Sequence, residues 1–129
     1  TADLARPAKT RAAIGEDFAQ LSGEDATIVP FLAQGGHGCI SVTSNVAPRL
    51  CAELHRAWKE RDLDRVQELN DRLMPLHTAL FIESNPAPVK YAASLLGHCK
   101  DELRLPMISI QPETQARVRS AMVHAGLLN

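Results

Sequence analysis

Side chains that could do chemistry are few in this 129-residue chain, and most of them stand alone. His37 lies in Gly35-Gly36-His37-Gly38, and a glycine-rich loop can cradle phosphate when it follows a strand and opens a helix. Here the glycines close a helix and lead into a strand, so turn geometry is the expectation rather than an anion site. Cys99 beside His98 has no second Cys or His at metal spacing, and Cys39 and Cys51 stand apart. A zinc site takes about four ligands, so these thiols are read as buried or idle and no metal site is expected. Glu24-Asp25 sits at a strand-to-helix turn, where negative charge complements a helix N-terminus, and this reading outweighs acid/base catalysis. Arg104, between Leu103 and Leu105, is expected to pack its stem and pair at an interface rather than bind substrate. His55 and His77 fall on helices without a partner at hydrogen-bond spacing and read as surface or boundary residues. No Ser-His-Asp grouping or Gly-x-Ser-x-Gly turn occurs. The informative positions are therefore strand ends, Ser22-Gly23 and Ile40 to Asn45, because such ends face the active site in parallel α/β enzymes.

Those positions need elements to hold them. Asp3 to Ile14 predicts a helix, with Pro7 near its first turn and Gly15 past its end. Phe18 to Leu21 predicts a short strand closed by Ser22-Gly23. Ile28, Phe31 and Leu32 have helical spacing between Asp25 and Gln34, and Pro30 forces that helix to start late or bend. Cys39 to Val42 predicts a second strand. Helix and strand alternate with short turns, which argues for parallel α/β construction rather than a bundle. From Ala47 to Glu60, Leu50, Leu54 and Trp58 share one helical face. Val66, Leu69, Leu73, Leu76 and Leu80 form an amphipathic stripe, with Pro75 expected to bend it. Asn85-Pro86 predicts an N-cap and first helical residue, Gly97 closes that helix, and Pro112 opens the last one. Met107 to Ile110 is apolar but isolated. The composition shift near Arg61 marks the expected domain boundary, giving 1–61 and 62–129.

Composition narrows the partners. Fourteen Lys+Arg against fifteen Asp+Glu leave a net charge of -1, which gives no footprint for nucleic acid. Phe18, Phe31, Phe81, Tyr91 and Trp58 are the only aromatics, too few for a base-stacking platform. No apolar run approaches the roughly 20 residues of a spanning helix, so no membrane partner is expected. Three cysteines without a leader segment fit a reducing cytoplasm. Two parallel strands do not make a finished sheet, because their edges stay unpaired and both faces need cover. The chain opens Thr-Ala-Asp with no initiator Met, so the missing strands are expected upstream of Thr1.

Five segments carry a resemblance, in order. They are Leu21-Ser22-Gly23-Glu24-Asp25, Gly35 through Val46, Leu73-Met74-Pro75-Leu76-His77, Phe81-Ile82-Glu83-Ser84-Asn85-Pro86-Ala87-Pro88-Val89-Lys90 and Leu103-Arg104-Leu105-Pro106-Met107. Along its whole length the chain resembles the C-terminal part of the dihydrodipicolinate synthase family. The resemblance implies the C-terminal portion of a (β/α)8 TIM barrel, with strands seven and eight at Phe18–Leu21 and Cys39–Val42, then a small all-helical domain. A complete barrel needs ~250 residues. In the family a lysine ending strand six forms an imine with pyruvate, and the enamine condenses with aspartate 4-semialdehyde, without metal or organic cofactor. Thr1 matches the last residue of that lysine's motif, so the imine-forming lysine is expected upstream of Thr1 and no catalytic residue is expected in this chain. Lys9, Lys59, Lys90 and Lys100 sit in helical or exposed contexts and do not replace it.

What the resemblance assigns to this segment is pocket wall. The family position matching Ile40 contacts pyruvate, and Gly23 leaves room for substrate at the neighbouring strand end. The other barrel half and a homotetramer are the implied partners. Two other readings stand beside this one. N-acetylneuraminate lyase and sugar-acid aldolases share the barrel and the imine. A non-enzymatic helical interaction module is favoured if the chain folds alone as a monomer.

Overall fold

The computed structural model describes residues 3–129. Thr1, matched above to the imine-lysine motif, lies outside them. By internal contacts the chain divides between Ser41 and Val42 into two compact units.

The first unit alternates helix and strand. Helix α1 spans Arg6–Ile14 and begins later than Asp3, with Ala5 as its N-cap and Pro7 in its first turn. The Asp3 carboxylate accepts the Ala5 N–H at 3.0 Å and its carbonyl accepts the Arg6 N–H at 3.0 Å. Strand β1 is Leu21–Ser22, helix α2 is Ile28–Ala33 and strand β2 is Gly38–Cys39. Pro30 falls in the first turn of α2, where a missing N–H costs nothing, so the helix starts late and does not break. The strands pair in parallel, Leu21 with Gly38 and Ser22 with Cys39. Both are displaced and shorter than expected. Phe18 lies outside the ladder, which begins where the His37 N–H donates to the Gln20 carbonyl at 2.9 Å. At the other end the Ile40 N–H donates to the Ser22 carbonyl at 2.8 Å, and a 3-10 turn at Thr43–Asn45 prevents Val42 from extending β2.

Gly35 and Gly36 close α2. Gly35 has φ +90°, a left-handed conformation that side chains resist, and a Cβ on Gly36 would run into the Phe31 ring.

The second unit is helical. Helix α3 (Pro48–Glu60) and helix α4 (Leu63–Ala79) form a hairpin across Arg61 and Asp62. Arg61 takes φ 60°, and the Asp62 carboxylate caps α4 by accepting the Arg65 N–H at 3.1 Å. That cap starts α4 earlier than Val66. Leu50 and Leu54 of α3 face inward with Leu69, Leu73 and Leu76 of α4, the last three at most 1% exposed. Trp58 is only half-buried, so the α3 face closes on Ala57 instead. Helix α3 packs on α4, which is why the contact boundary precedes it rather than falling at Arg61.

Pro75 lies inside a continuous α4. Helix α5 is Ala87–Leu95; Pro86 is its cap and Asn85 is not, because a turn closed from the Ala87 N–H to the Ser84 carbonyl precedes it. Residues 98–111 form no strand, although Ile110 is buried. Helix α6 (Pro112–His124) buries Val118 and Met122 completely, and Gly126 and Leu127 donate back to Val123 and Met122 in a Schellman cap.

Candidate functional site

The C-terminal ends of β1 and β2 carry the residues of interest. Ser22 is buried, and its hydroxyl accepts the Glu24 N–H at 3.0 Å and donates to the Glu24 carbonyl at 3.3 Å. This small loop turns Gly23 outward, where nothing lies within 4 Å of a Cβ position. The bond from Ile40 to the Ser22 carbonyl fixes the Ile40 backbone beside the residue that precedes Gly23, while its side chain stays 72% exposed. The parallel register therefore brings Gly23 and Ile40 to one edge of the sheet. An open cleft of about 380 Å³ runs along β1 past Phe18, Gln20, Leu21, Ser22, Gly23 and Phe31, and Ile40 does not line it.

Below the strand ends Asp25 is 3% exposed and accepts the Cys39 thiol at 3.9 Å. Cys39 is thus engaged rather than idle. The Asp25 carbonyl receives the Ile28 N–H at 3.2 Å, and the Glu24 carboxylate accepts the Ala26 N–H at 3.3 Å. Both acids serve the entry into α2, as their position in the sequence implies.

The other singled-out residues scatter. The His37 ring binds the backbone of Gln20 and holds a turn, as expected of it. His55 is half-buried, Cys99 is exposed with its thiol 3.8 Å from the Lys90 carbonyl, and Arg104 is exposed without an ion pair among the described residues. His77 corrects the surface reading: it is 3% exposed and its Nδ1 lies 2.8 Å from the hydroxyl of fully buried Thr43. The signal was present, because positions 69, 73 and 77 follow one row of α4 and the first two are core leucines. Among the lysines, Lys9 pairs with Asp3 at 3.4 Å and Lys100 with Glu102 at 3.7 Å. Lys59 is exposed and Lys90 half-buried. An imine-forming amine is favoured by a desolvated setting. None of the four is buried.

Among the described residues no cluster of three or more His, Cys, Asp or Glu could hold a metal ion, and no helix is long and apolar enough to cross a membrane.

Comparison with known proteins gives one consistent result. The profile of the Dihydrodipicolinate synthetase family matches residues 1–125. The chain belongs to this family. Among family members, the 4-hydroxy-tetrahydrodipicolinate synthase of Bradyrhizobium diazoefficiens is 64% identical over 129 residues, covering 100% of this chain and 44% of that protein. The dihydrodipicolinate synthase of Aquifex aeolicus superposes with a TM-score of 0.93 at 40% identity, over 98% of this chain and 43% of the other. The chloride-inhibited dihydrodipicolinate synthase of Acinetobacter baumannii, solved in complex with pyruvate, superposes with a TM-score of 0.91 at 33% identity, over 99% and 44%. The chain thus spans about 44% of the length of the curated relatives it matches. The expected fold stands: a C-terminal portion of the family's (β/α)8 barrel, holding strands seven and eight as β1 and β2, followed by helices.

Proposed function

We propose that this chain forms pocket wall and helical domain of an enzyme that condenses pyruvate with aspartate 4-semialdehyde to 4-hydroxy-tetrahydrodipicolinate. The observation that carries the reading is the register of the two strands, which sets Gly23 and Ile40 side by side at the barrel end where the family's strands are numbered seven and eight. The 64% identity to a 4-hydroxy-tetrahydrodipicolinate synthase supports the substrate pair, and the pyruvate complex of the Acinetobacter relative supports the first substrate.

In the proposed reaction a lysine outside these 129 residues attacks the pyruvate ketone and loses water to give an imine. The imine nitrogen withdraws electrons, the methyl carbon loses a proton, and the enamine forms a carbon–carbon bond to the aldehyde. The substrate's own amine then displaces the lysine as the ring closes, which returns the free lysine. No metal or organic cofactor enters. Ile40 packs against the pyruvate moiety and keeps water from the imine, and Gly23 leaves volume for the substrate. Residues 1–61 belong to the barrel and 62–129 to the appended helical domain. The preceding barrel half, a homotetramer and the cytoplasm complete the proposal, the last in keeping with Cys39, Cys51 and Cys99 standing outside any disulfide.

The test uses the full-length polypeptide that carries this chain. Incubation with pyruvate and borohydride, followed by peptide mapping, is expected to give one pyruvyl-lysine outside residues 1–129, and turnover is expected with aspartate 4-semialdehyde. An adduct on Lys9, Lys59, Lys90 or Lys100 overturns the division of labour. Cleavage of N-acetylneuraminate in place of the condensation moves the enzyme to the sugar-acid aldolases.

A further inference from the structure

We propose that Ser22 is a positioning residue whose hydroxyl sets Gly23 against Ile40; the inference rests on the pyruvate-site reading of those two residues. Ser22 holds both sides of the strand end. Its carbonyl accepts the Ile40 N–H at 2.8 Å. Its hydroxyl accepts the Glu24 N–H at 3.0 Å and donates to the Glu24 carbonyl at 3.3 Å. A serine hydroxyl has one proton and two lone pairs, so it can make both bonds at once. A hydroxyl that folds back on the backbone two residues ahead makes a local turn, which competes with continuing the strand. The chain therefore leaves the ladder after Ser22 and carries Gly23 at the apex of a three-residue loop.

Gly23 depends on such a clamp more than another residue would. Glycine has the widest backbone freedom, and nothing lies within 4 Å of the Cβ position here, so packing on that side does not hold it. Ser22 is only 7% exposed, so water is a poor replacement for its hydroxyl, and deleting the hydroxyl takes the acceptor away from the Glu24 N–H. Helix α2 has an entry of its own. The Glu24 carboxylate accepts the Ala26 N–H at 3.3 Å and the Asp25 carbonyl accepts the Ile28 N–H at 3.2 Å, and neither bond calls on Ser22. What the hydroxyl governs is the backbone at Gly23. Ser22 is bonded to Ile40 on one side and closes the Gly23 loop on the other, so one residue sets the spacing of the two proposed wall positions.

The experiment uses the full-length polypeptide that carries this chain, with Ser22→Ala, Ser22→Thr, Gly23→Ala and the double variant of Ser22→Ala with Gly23→Ala. Pyruvate KM, kcat, melting temperature and amide exchange at Glu24 are measured. Ser22→Ala is expected to raise the pyruvate KM about threefold or more, with kcat within about twofold, and to speed exchange at Glu24. Ser22→Thr keeps the hydroxyl and is expected to bring both readings back near the wild-type values. Because Ser22 acts through Gly23, the double variant is expected to raise KM by less than the product of the two single effects. An unchanged KM in Ser22→Ala, even with a lowered melting temperature, overturns the proposal, because that is what a merely structural hydroxyl does. A fully multiplicative double variant, or a Ser22→Thr as impaired as Ser22→Ala, overturns it too. If Ser22→Ala does not fold, Ser22→Thr and Ser22→Cys decide, since the first keeps the oxygen and the second offers a weaker donor and acceptor; equal KM values overturn it. If the wild-type protein does not use pyruvate, the pyruvate-site reading falls by itself. Exchange at Glu24 in Ser22→Ala against Ser22→Thr then decides whether the hydroxyl positions the loop, and equal exchange overturns it.

Discussion

His37 and Gln20 are joined twice. The Gln20 N–H donates to His37 Nδ1 at 2.9 Å, and the His37 N–H donates to the Gln20 carbonyl at 2.9 Å. One residue thus supplies side chain and backbone to the same partner immediately before the Leu21–Gly38 pair. A two-residue parallel ladder has little else to set its register, because a slip by one residue would reverse which side chains face each side of the sheet.

His37→Ala is expected to speed amide exchange at Gln20 and to destabilise the first unit by about 0.5–1.5 kcal/mol, toward the lower value because the bond is exposed. His37→Asn keeps an acceptor near Nδ1 and is expected to retain most of the protection. Equal exchange at Gln20 in wild type and His37→Ala contradicts the clamp.

Ile40→Ala separates substrate contact from stability. Its side chain is 72% exposed, so in the 129-residue chain alone the substitution is expected to change stability by less than about 0.5 kcal/mol. In the full-length enzyme it is expected to raise the pyruvate KM. Unchanged kinetics there remove Ile40 from the proposed pocket.

The 129-residue chain by itself is expected to form no imine and to show no aldol activity. None of its four lysines is buried, and Lys9 and Lys100 are engaged with Asp3 and Glu102. Intact-mass measurement after pyruvate and borohydride treatment checks this, and a stable pyruvyl adduct would refute it.

Protection against amide exchange is expected to differ between the units. Leu69, Leu73, Leu76 and Leu80 are at most 1% exposed, whereas Phe18, Leu21 and Ile40 are all more than half exposed. In the lone chain residues 66–80 are expected to exchange slowly and β1 and β2 quickly. Supplying the N-terminal half is expected to slow exchange chiefly at Leu21 and Ile40. Leu76→Ala, which empties a fully buried site, is expected to cost about 2–5 kcal/mol in thermal or denaturant unfolding.

Acid should loosen the start of α1. The Asp3 carboxyl is held below its usual range, first by the Ala5 N–H it accepts and also by the charge of Lys9. A depressed folded value means the contribution is present above the ordinary value and is lost as pH falls through the lowered one. The Ala5 amide is therefore expected to stay in place at neutral pH and to shift only below the usual carboxylate value of about 3.9. Asp3→Asn removes the titration, and an NMR pH series reads it.

Helical periodicity made the second unit legible. Leu69, Leu73, Leu76 and Leu80 fall inward as the stripe requires, and the gain at the N-terminus of α4 comes from a cap, Asp62, that apolar spacing does not count. The strands were legible as two parallel pieces and not as residue ranges. A strand in a partial barrel is defined by its neighbours, so β1 and β2 extend only as far as each other's bonds reach. His77 and Cys39 were misread for one reason: a partner 34 residues away, or 14 in the second case, leaves no mark on local spacing. Gly23 and Ile40 stood out as strand-end positions, but only resemblance gave them a substrate.

Two glycines in the first unit answer to different kinds of selection. Every single-base change in a glycine codon that specifies another residue adds a Cβ. At Gly36 that atom meets the Phe31 ring, so folding resists a side chain there unless the ring is displaced. At Gly23 the same atom meets open space among the described residues, so the fold of this chain leaves the position free, and a substrate at the strand end, as proposed above, would close it. A population of this chain selected for solubility alone should drift at 23 while 36 stays put; selected for the proposed activity, in the full-length background, it should lose its freedom at 23 as well.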